Sequence, residues 1–209
     1  MTHTLHRLGT RESLEGDFVM LCMPSKDINH VGSGPKLRRF LELCLKNGCV
    51  TIGDARRGNA FHHGSLEKML DSIEDRAVVT ASFNNKESVI QMLKDLKEED
   101  LGMSVNVSSL FDEVADCCAM AGLRQHTVHH SLGRWGKTEK LPPREILDIA
   151  LMCGHALVAV NFIKEMIEEV KAGKKTSKEA AAELFKPCMC GIFNTDRAAK
   201  LIEAIVGKG

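Results

Sequence analysis

The chain has 209 residues, with 28 Lys and Arg set against 28 Asp and Glu. That length buries a core without the help of disulfides, and the balanced charge leaves no field to hold a polyanion, which argues against nucleic acid as a partner. The apolar runs, ALVAV at 156–160 among them, are too short to span a bilayer, and the opening MTHTLHRLGT lacks the apolar centre of a signal peptide. A cytoplasmic protein without a membrane partner is expected. Thiols stay reduced there, so the eight cysteines point to metal or catalysis before disulfides.

In chain order, Met1-Thr2-His3 has the form of a copper or nickel chelate at a free amino terminus. Loss of Met1 would move the histidine out of position, so His3 and His6 read as an edge strand or a terminal tail. From residue 17 to about residue 132, short apolar runs alternate with helical patterns. The strand candidates are DFVMLCM, CVTIG, AVVTASF, LGMSVNV and HTVHHSL. GPKLRRFLELCLKNG has Leu37, Phe40, Leu41 and Cys44 at helical spacing, Pro35 in its first turn and Gly48 at its end. SLEKMLDSIED opens on Ser65 as an N-cap and puts Leu66, Met69, Leu70 and Ile73 on one face. KESVIQMLKDLKEED and LFDEVADCCAMAGL repeat the rhythm. Strands alternating with helices of this length predict βαβ units and a mainly parallel sheet.

The rhythm changes at Pro142 and Pro143, beyond which only helical patterns follow. One long helix, or two broken near Gly154, is predicted to reach about Lys171. Thr176 and Glu179 form a capping box, Pro187 stops that helix, and Asn194 or Thr195 caps the last. The division expected is an α/β domain with ligand-binding loops over 1–140 and a helical, cysteine-containing subdomain over 141–209.

Loops leaving the C-terminal ends of parallel strands share one edge, where such folds bind ligands. The loops in question are PSKDINHVGSG, DARRGNAFHHG, NNK, SS and GRWGK. They supply His62 and His63, and the end of HTVHHSL supplies His130, as general acids or bases, since imidazole exchanges protons near neutral pH. Lys26, His30, Arg56, Arg57 and Arg134 are the groups to hold the negative end of a small molecule. HVGSGPK, just before a helix, reads either as an anion site or as a plain turn. Trp135, between two glycines, either closes over a ligand or packs at the domain joint. His126 is read as structural.

The cysteines fall into two groups. Cys22, Cys44, Cys49, Cys117 and Cys118 lie on apolar faces and read as small hydrophobes. Cys153 and His155 form a C-x-H element, and Cys188 and Cys190 a C-x-C element in PCMCGIFN. Four such donors have the count of a Cys3His zinc site or of an iron–sulfur cluster. On a continuous helix Cys153 and His155 would point about 200° apart, so ligation requires the helix to break at Gly154.

These readings converge on a metal- or iron–sulfur-binding cytoplasmic protein, an enzyme or cofactor handler acting on an anionic small molecule. The alternative is a non-catalytic ligand-sensing or dimeric assembly module with structural cysteines, and self-association is open in either case. A thiol redox role for Cys188 and Cys190 is the weakest, because a C-x-C disulfide closes a strained ring.

Overall fold

The computed structural model of the protein describes residues 4–207, so Met1-Thr2-His3 lies outside the described residues. A short helix α1 (Arg11–Glu15) precedes strand β1 (Phe18–Met23), helix α2 (Ser33–Lys46) and strand β2 (Thr51–Asp54). Two short helices, α3 (Ala60–His63) and α4 (Leu66–Asp71), lead to β3 (Val79–Phe83), α5 (Lys86–Glu99), β4 (Ser104–Ser108) and α6 (Phe111–Met120). After a 3-10 turn at Thr138–Lys140 come α7 (Arg144–Ala150), α8 (Val160–Lys171), α9 (Ser177–Phe185) and α10 (Thr195–Val206).

The sheet is not parallel. Its order is β2-β3-β1-β4, and every neighbouring pair is antiparallel. β1 and β2 run the same way with β3 inserted between them, which is the split βαβ arrangement of β-α-β-β-α-β folds. A helix between two like-directed strands produces the same rhythm in sequence whether or not a third strand lies between them, which is why the alternation suggests parallel pairing. The consequence for the ligand loops is large. Loops after β1 and β2 leave one end of the sheet, and those after β3 and β4 leave the other.

HTVHHSL is not a strand: residues 124–130 are exposed and without regular structure. Its period-2 pattern sets Val128 and Leu132 on one side, but these are 53 % and 79 % exposed, so no apolar layer holds the segment against the sheet. The helix caps follow the sequence closely. Ser65 accepts from Lys68 N, Thr176 and Glu179 form the reciprocal capping box, and Asn194 accepts from Arg197 N.

Alternation along the strands divides the sheet into two faces. Phe18, Met20 and Cys22 of β1 with Val79, Ala81 and Phe83 of β3 pack under α2 and α5 in the first core cluster. Cys44 and Cys117 are buried in this cluster, with Cys49 and Cys118 packed against it, and burial pushes the Cys22 and Cys49 thiols up to about 12. The second cluster gathers α7, α8, α9 and α10 with Val19 of β1. The sheet residues on that side are mostly small and polar, among them Thr51, Gly53, Thr80 and Ser82. Among the described residues, no helix is long and apolar enough to cross a membrane.

Candidate metal centre

The stretch 151–159 between α7 and α8 is not helical, so the chain does break at Gly154. Ala156 takes a left-handed φ of 55° there, which costs a side-chain-bearing residue on the order of 1–2 kcal/mol. Reversing at this point turns the N–H groups of His155 and Leu157 back onto the Cys153 sulfur. The second loop, between α9 and α10, does the same: Ile192 N–H reaches Cys190 and Phe193 N–H reaches Cys188. Amides aimed at sulfur favour thiolate over thiol.

The two loops meet. Cys153 and Cys188 interact through their side chains, as do Cys188 and Cys190, and Cys190 Sγ lies 3.6 Å from His155 Nδ1. The three cysteines are buried to within 1 % exposure, while His155 stands at the surface end of the row. Hydrogen bonding to Cys188 and burial push Cys153 up. For Cys188 the bond to Cys153 lowers the pKa, but the bond to Cys190 and burial outweigh it and bring the thiol to about 12. Cys190 moves the other way, below its ordinary value, chiefly through the Cys188 bond with help from Ile192 N–H and the charge of Arg7. The contacts form a row rather than a closed ring, and among the described residues no group of three or more His, Cys, Asp or Glu is arranged to hold a metal ion.

What positions the second loop is its backbone contact with the sheet. Thr51 Oγ1 donates to Gly191 O at 2.7 Å, and Thr80 Oγ1 donates to Cys190 O. Gly191 has φ 78°, and a Cβ placed there would stand 2.2 Å from the carbonyl carbon of Ile52. Gly53 below it leaves the same clearance, its own Cβ position being 2.7 Å from Met189 O. Asn59, capping α3, donates to Cys188 O at 3.0 Å.

A buried charge cluster ties both loops to the start of β1. Arg7 donates to Met152 O at 2.9 Å and also to Ile192 O, one carbonyl from each cysteine loop. Its guanidinium pairs with Asp17 Oδ1, whose other oxygen takes Arg197 Nη1 at 2.7 Å. The side chains of Arg7, Asp17 and Arg197 are 7 %, 0 % and 3 % exposed, and among the described residues Arg7 Nε has no hydrogen-bond partner. Two guanidinium groups share one carboxylate, so the cluster holds one positive charge in excess. Asp148, the next acid near Arg197, is held by Arg144 at 2.6 Å. Sequence reading missed this cluster. The one available signal was an ionisable residue, Arg197, directly before the small apolar pair Ala198 and Ala199 of a helix.

The remaining predicted residues do not form one site. Lys26 and His30 stand in the loop after β1, where His30 Nδ1 accepts from Asp27 N at 2.8 Å. Arg56 and Arg57 follow β2 at the same end of the sheet, and Arg57 is paired with Glu74 at 2.5 Å. The anion position before α2 is filled by the protein itself: Asp75 accepts from Gly32 N and Gly34 N, both at 2.8 Å. These two backbone bonds, Gly34 first, hold the Asp75 carboxyl below its usual range. His62 Nδ1 sits 3.0 Å from Asn59 Oδ1 and His63 Nε2 3.1 Å from Arg57 O, so both are tied to the β2 margin. His130 and Arg134 belong to the opposite margin, beyond α6. There His130 meets the edge of Phe111, with ring centres 6.0 Å apart, and Trp135 is 85 % exposed.

Beside the cysteine loops lies a shallow groove of about 390 Å³, formed by Phe61, His62, Leu157, Phe162, Lys186 and Pro187. Comparison with protein-family models, with curated proteins and with solved structures gives no match to this chain.

Proposed function

We propose that the protein binds a single thiophilic metal ion through Cys153, Cys188 and Cys190, with His155 as the exchangeable fourth ligand. The observation that carries this reading is the meeting of the two loops, each with its amides turned toward its own sulfurs. Zinc fits better than an iron–sulfur cluster on distance. For metal bonds of about 2.3 Å to sulfur and 2.0–2.1 Å to nitrogen, a tetrahedron has an S···N edge of about 3.6 Å, and Cys190 Sγ and His155 Nδ1 stand 3.6 Å apart. Charge supports it as well: a divalent ion with three thiolates and a neutral imidazole carries one negative charge, which the excess positive charge held by Arg7 offsets.

His155 is at the surface, so its displacement opens a coordination position toward the adjoining groove. A small substrate there would meet His62, the candidate acid or base nearest the cysteine loops, beside Lys186, which is paired with Glu183 at 2.6 Å. The cysteine-rich, disulfide-independent composition supports a reducing, cytoplasmic setting.

Elemental analysis of the purified full chain is the test. About one equivalent of zinc per chain is expected, lost when Cys188 and Cys190 are both replaced by serine and kept when Cys117 and Cys118 are. A cobalt-loaded sample should show thiolate-to-metal charge transfer that weakens in the His155→Ala variant. Metal-free protein that also fails to take up cobalt or zinc on titration would sink the reading, and the cysteines would then be structural.

A further inference from the structure

Among the described residues β4 is an edge strand, pairing with β1, and its outer side faces a cavity of about 770 Å³ at whose end Thr4 meets Ser108. The far wall of that cavity is the exposed segment 123–131. An open edge of this kind is a template for another strand. The size of the gap is informative. A strand has a rise of about 3.4 Å per residue, and its cross-section is about 4.8 Å by 10 Å, so five residues occupy about 800 Å³. β4 itself has five residues, and the cavity volume is of the same order as one strand of that length.

The walls differ on the two sides of the sheet plane. Val105, Val107, Leu96 and Val114 line one side and are apolar, while Ser104, Asn106, Ser108 and Arg7 line the other and are polar. An extended chain in the gap points successive side chains to these two sides in turn. Lys97 and Arg124 are the lining cations left to meet a ligand, while Arg7 and the lining acid Asp17 are engaged with each other. The roofing stretch 123–137 carries Arg124, Arg134 and Lys137 and no acidic residue. Two copies meeting edge to edge would bring these like-charged stretches together, which disfavours a second copy as the occupant.

We propose that the open edge of β4, roofed by residues 123–131, takes up a five-residue extended segment of a partner protein by strand addition, with aliphatic and acidic residues in alternation. Backbone pairing to β4 supplies attachment. The apolar side and the basic groups select the sequence.

The probe is fluorescein-labelled acetyl-Val-Glu-Val-Glu-Val-amide, followed by anisotropy with the full chain at low salt. Saturable binding is expected, at least about tenfold tighter than for the Val-Lys-Val-Lys-Val peptide. Methylating alternate backbone nitrogens should cost about tenfold or more. Asn106→Trp, which fills the polar side, should abolish binding while the circular dichroism spectrum is retained, and Arg124→Glu should narrow the preference for glutamate over lysine. Amide exchange at residues 104–108 should slow on saturation. Equal binding of the two peptides, or binding that leaves exchange at 104–108 unchanged, overturns the proposal. So does protection of 104–108 without peptide, whether in a dimer, where a second copy holds the edge, or in a monomer, where the chain's own 126–130 does. None of these readouts depends on the metal centre, and the Cys188→Ser, Cys190→Ser variant should bind the peptide as the parent does.

Discussion

At the scale of single residues, Asp75 carries a consequence that can be measured against pH. Its carboxylate satisfies two backbone N–H groups at the start of α2, and those bonds lower its pKa in the folded state. A depressed folded pKa stabilises the protein above the unfolded value of about 4, and that contribution is lost as pH falls through the folded value. Asp75→Asn is therefore expected to lower the thermal midpoint at neutral pH. The difference from the parent should shrink as pH drops below about 4. A gap that stays constant across that range would mean that charge plays no part at this cap. The same residue shows what local reading misses, because Asp75 lies 41 positions from Gly34. A helix start preceded by glycines looks like an empty anion site until a distant carboxylate is found in it.

At the scale of elements, the loop carrying Cys188 and Cys190 is held by backbone lying directly on backbone. Gly191→Ala must accommodate both a left-handed φ and a methyl group where Ile52 already is. It is expected to cost about 3 kcal/mol or more and to reduce metal uptake with it. Gly173→Ala is the control, since Gly173 has a φ of 70° but no neighbour within 4 Å, and about 1 kcal/mol is expected there. Equal losses at the two sites, measured by urea denaturation, would show that the close approach to the sheet is not what matters. Element identity was largely readable: four of five strand candidates and the caps at Ser65, Thr176 and Asn194 are in the structure. Strand direction was not, because β3 enters between β1 and β2 without changing the helical spacing on either side. The fifth candidate failed for a different reason. Alternation in HTVHHSL is a local property, and burial of Val128 and Leu132 needs a surface that the rest of the fold does not bring to them.

At the scale of the whole molecule, Asp17 joins parts of the chain that are far apart in sequence. It links the N-terminal segment through Arg7, the sheet through β1, both cysteine loops through Arg7's carbonyl contacts, and α10 through Arg197. Asp17→Asn leaves two buried guanidinium groups without their counter-charge, a change expected to cost about 3–5 kcal/mol. The loss should appear as one cooperative transition in which metal release and loss of helix coincide. Early metal release from an otherwise folded protein would show that the cysteine loops are not bound into the common core. Residue type and a break at Gly154 posed the meeting of those loops as a question. The arginines that hold them were not, since nothing in a local window tells a buried arginine from an exposed one.

The reach of Asp17 also sets an order of events during synthesis. Its second partner, Arg197, is translated 180 residues later. At about 5–20 residues per second that interval is about 10–40 s. Once β3 has been made, the polar face of the sheet has no loop to cover it, and Cys153, when it follows, precedes Cys188 by 35 residues. The nascent chain can close one side of its sheet on the ribosome. It cannot close the other until residues 188–197 have emerged, so the cell must keep that half-finished face from aggregation, and the young thiols from oxidation, for the duration.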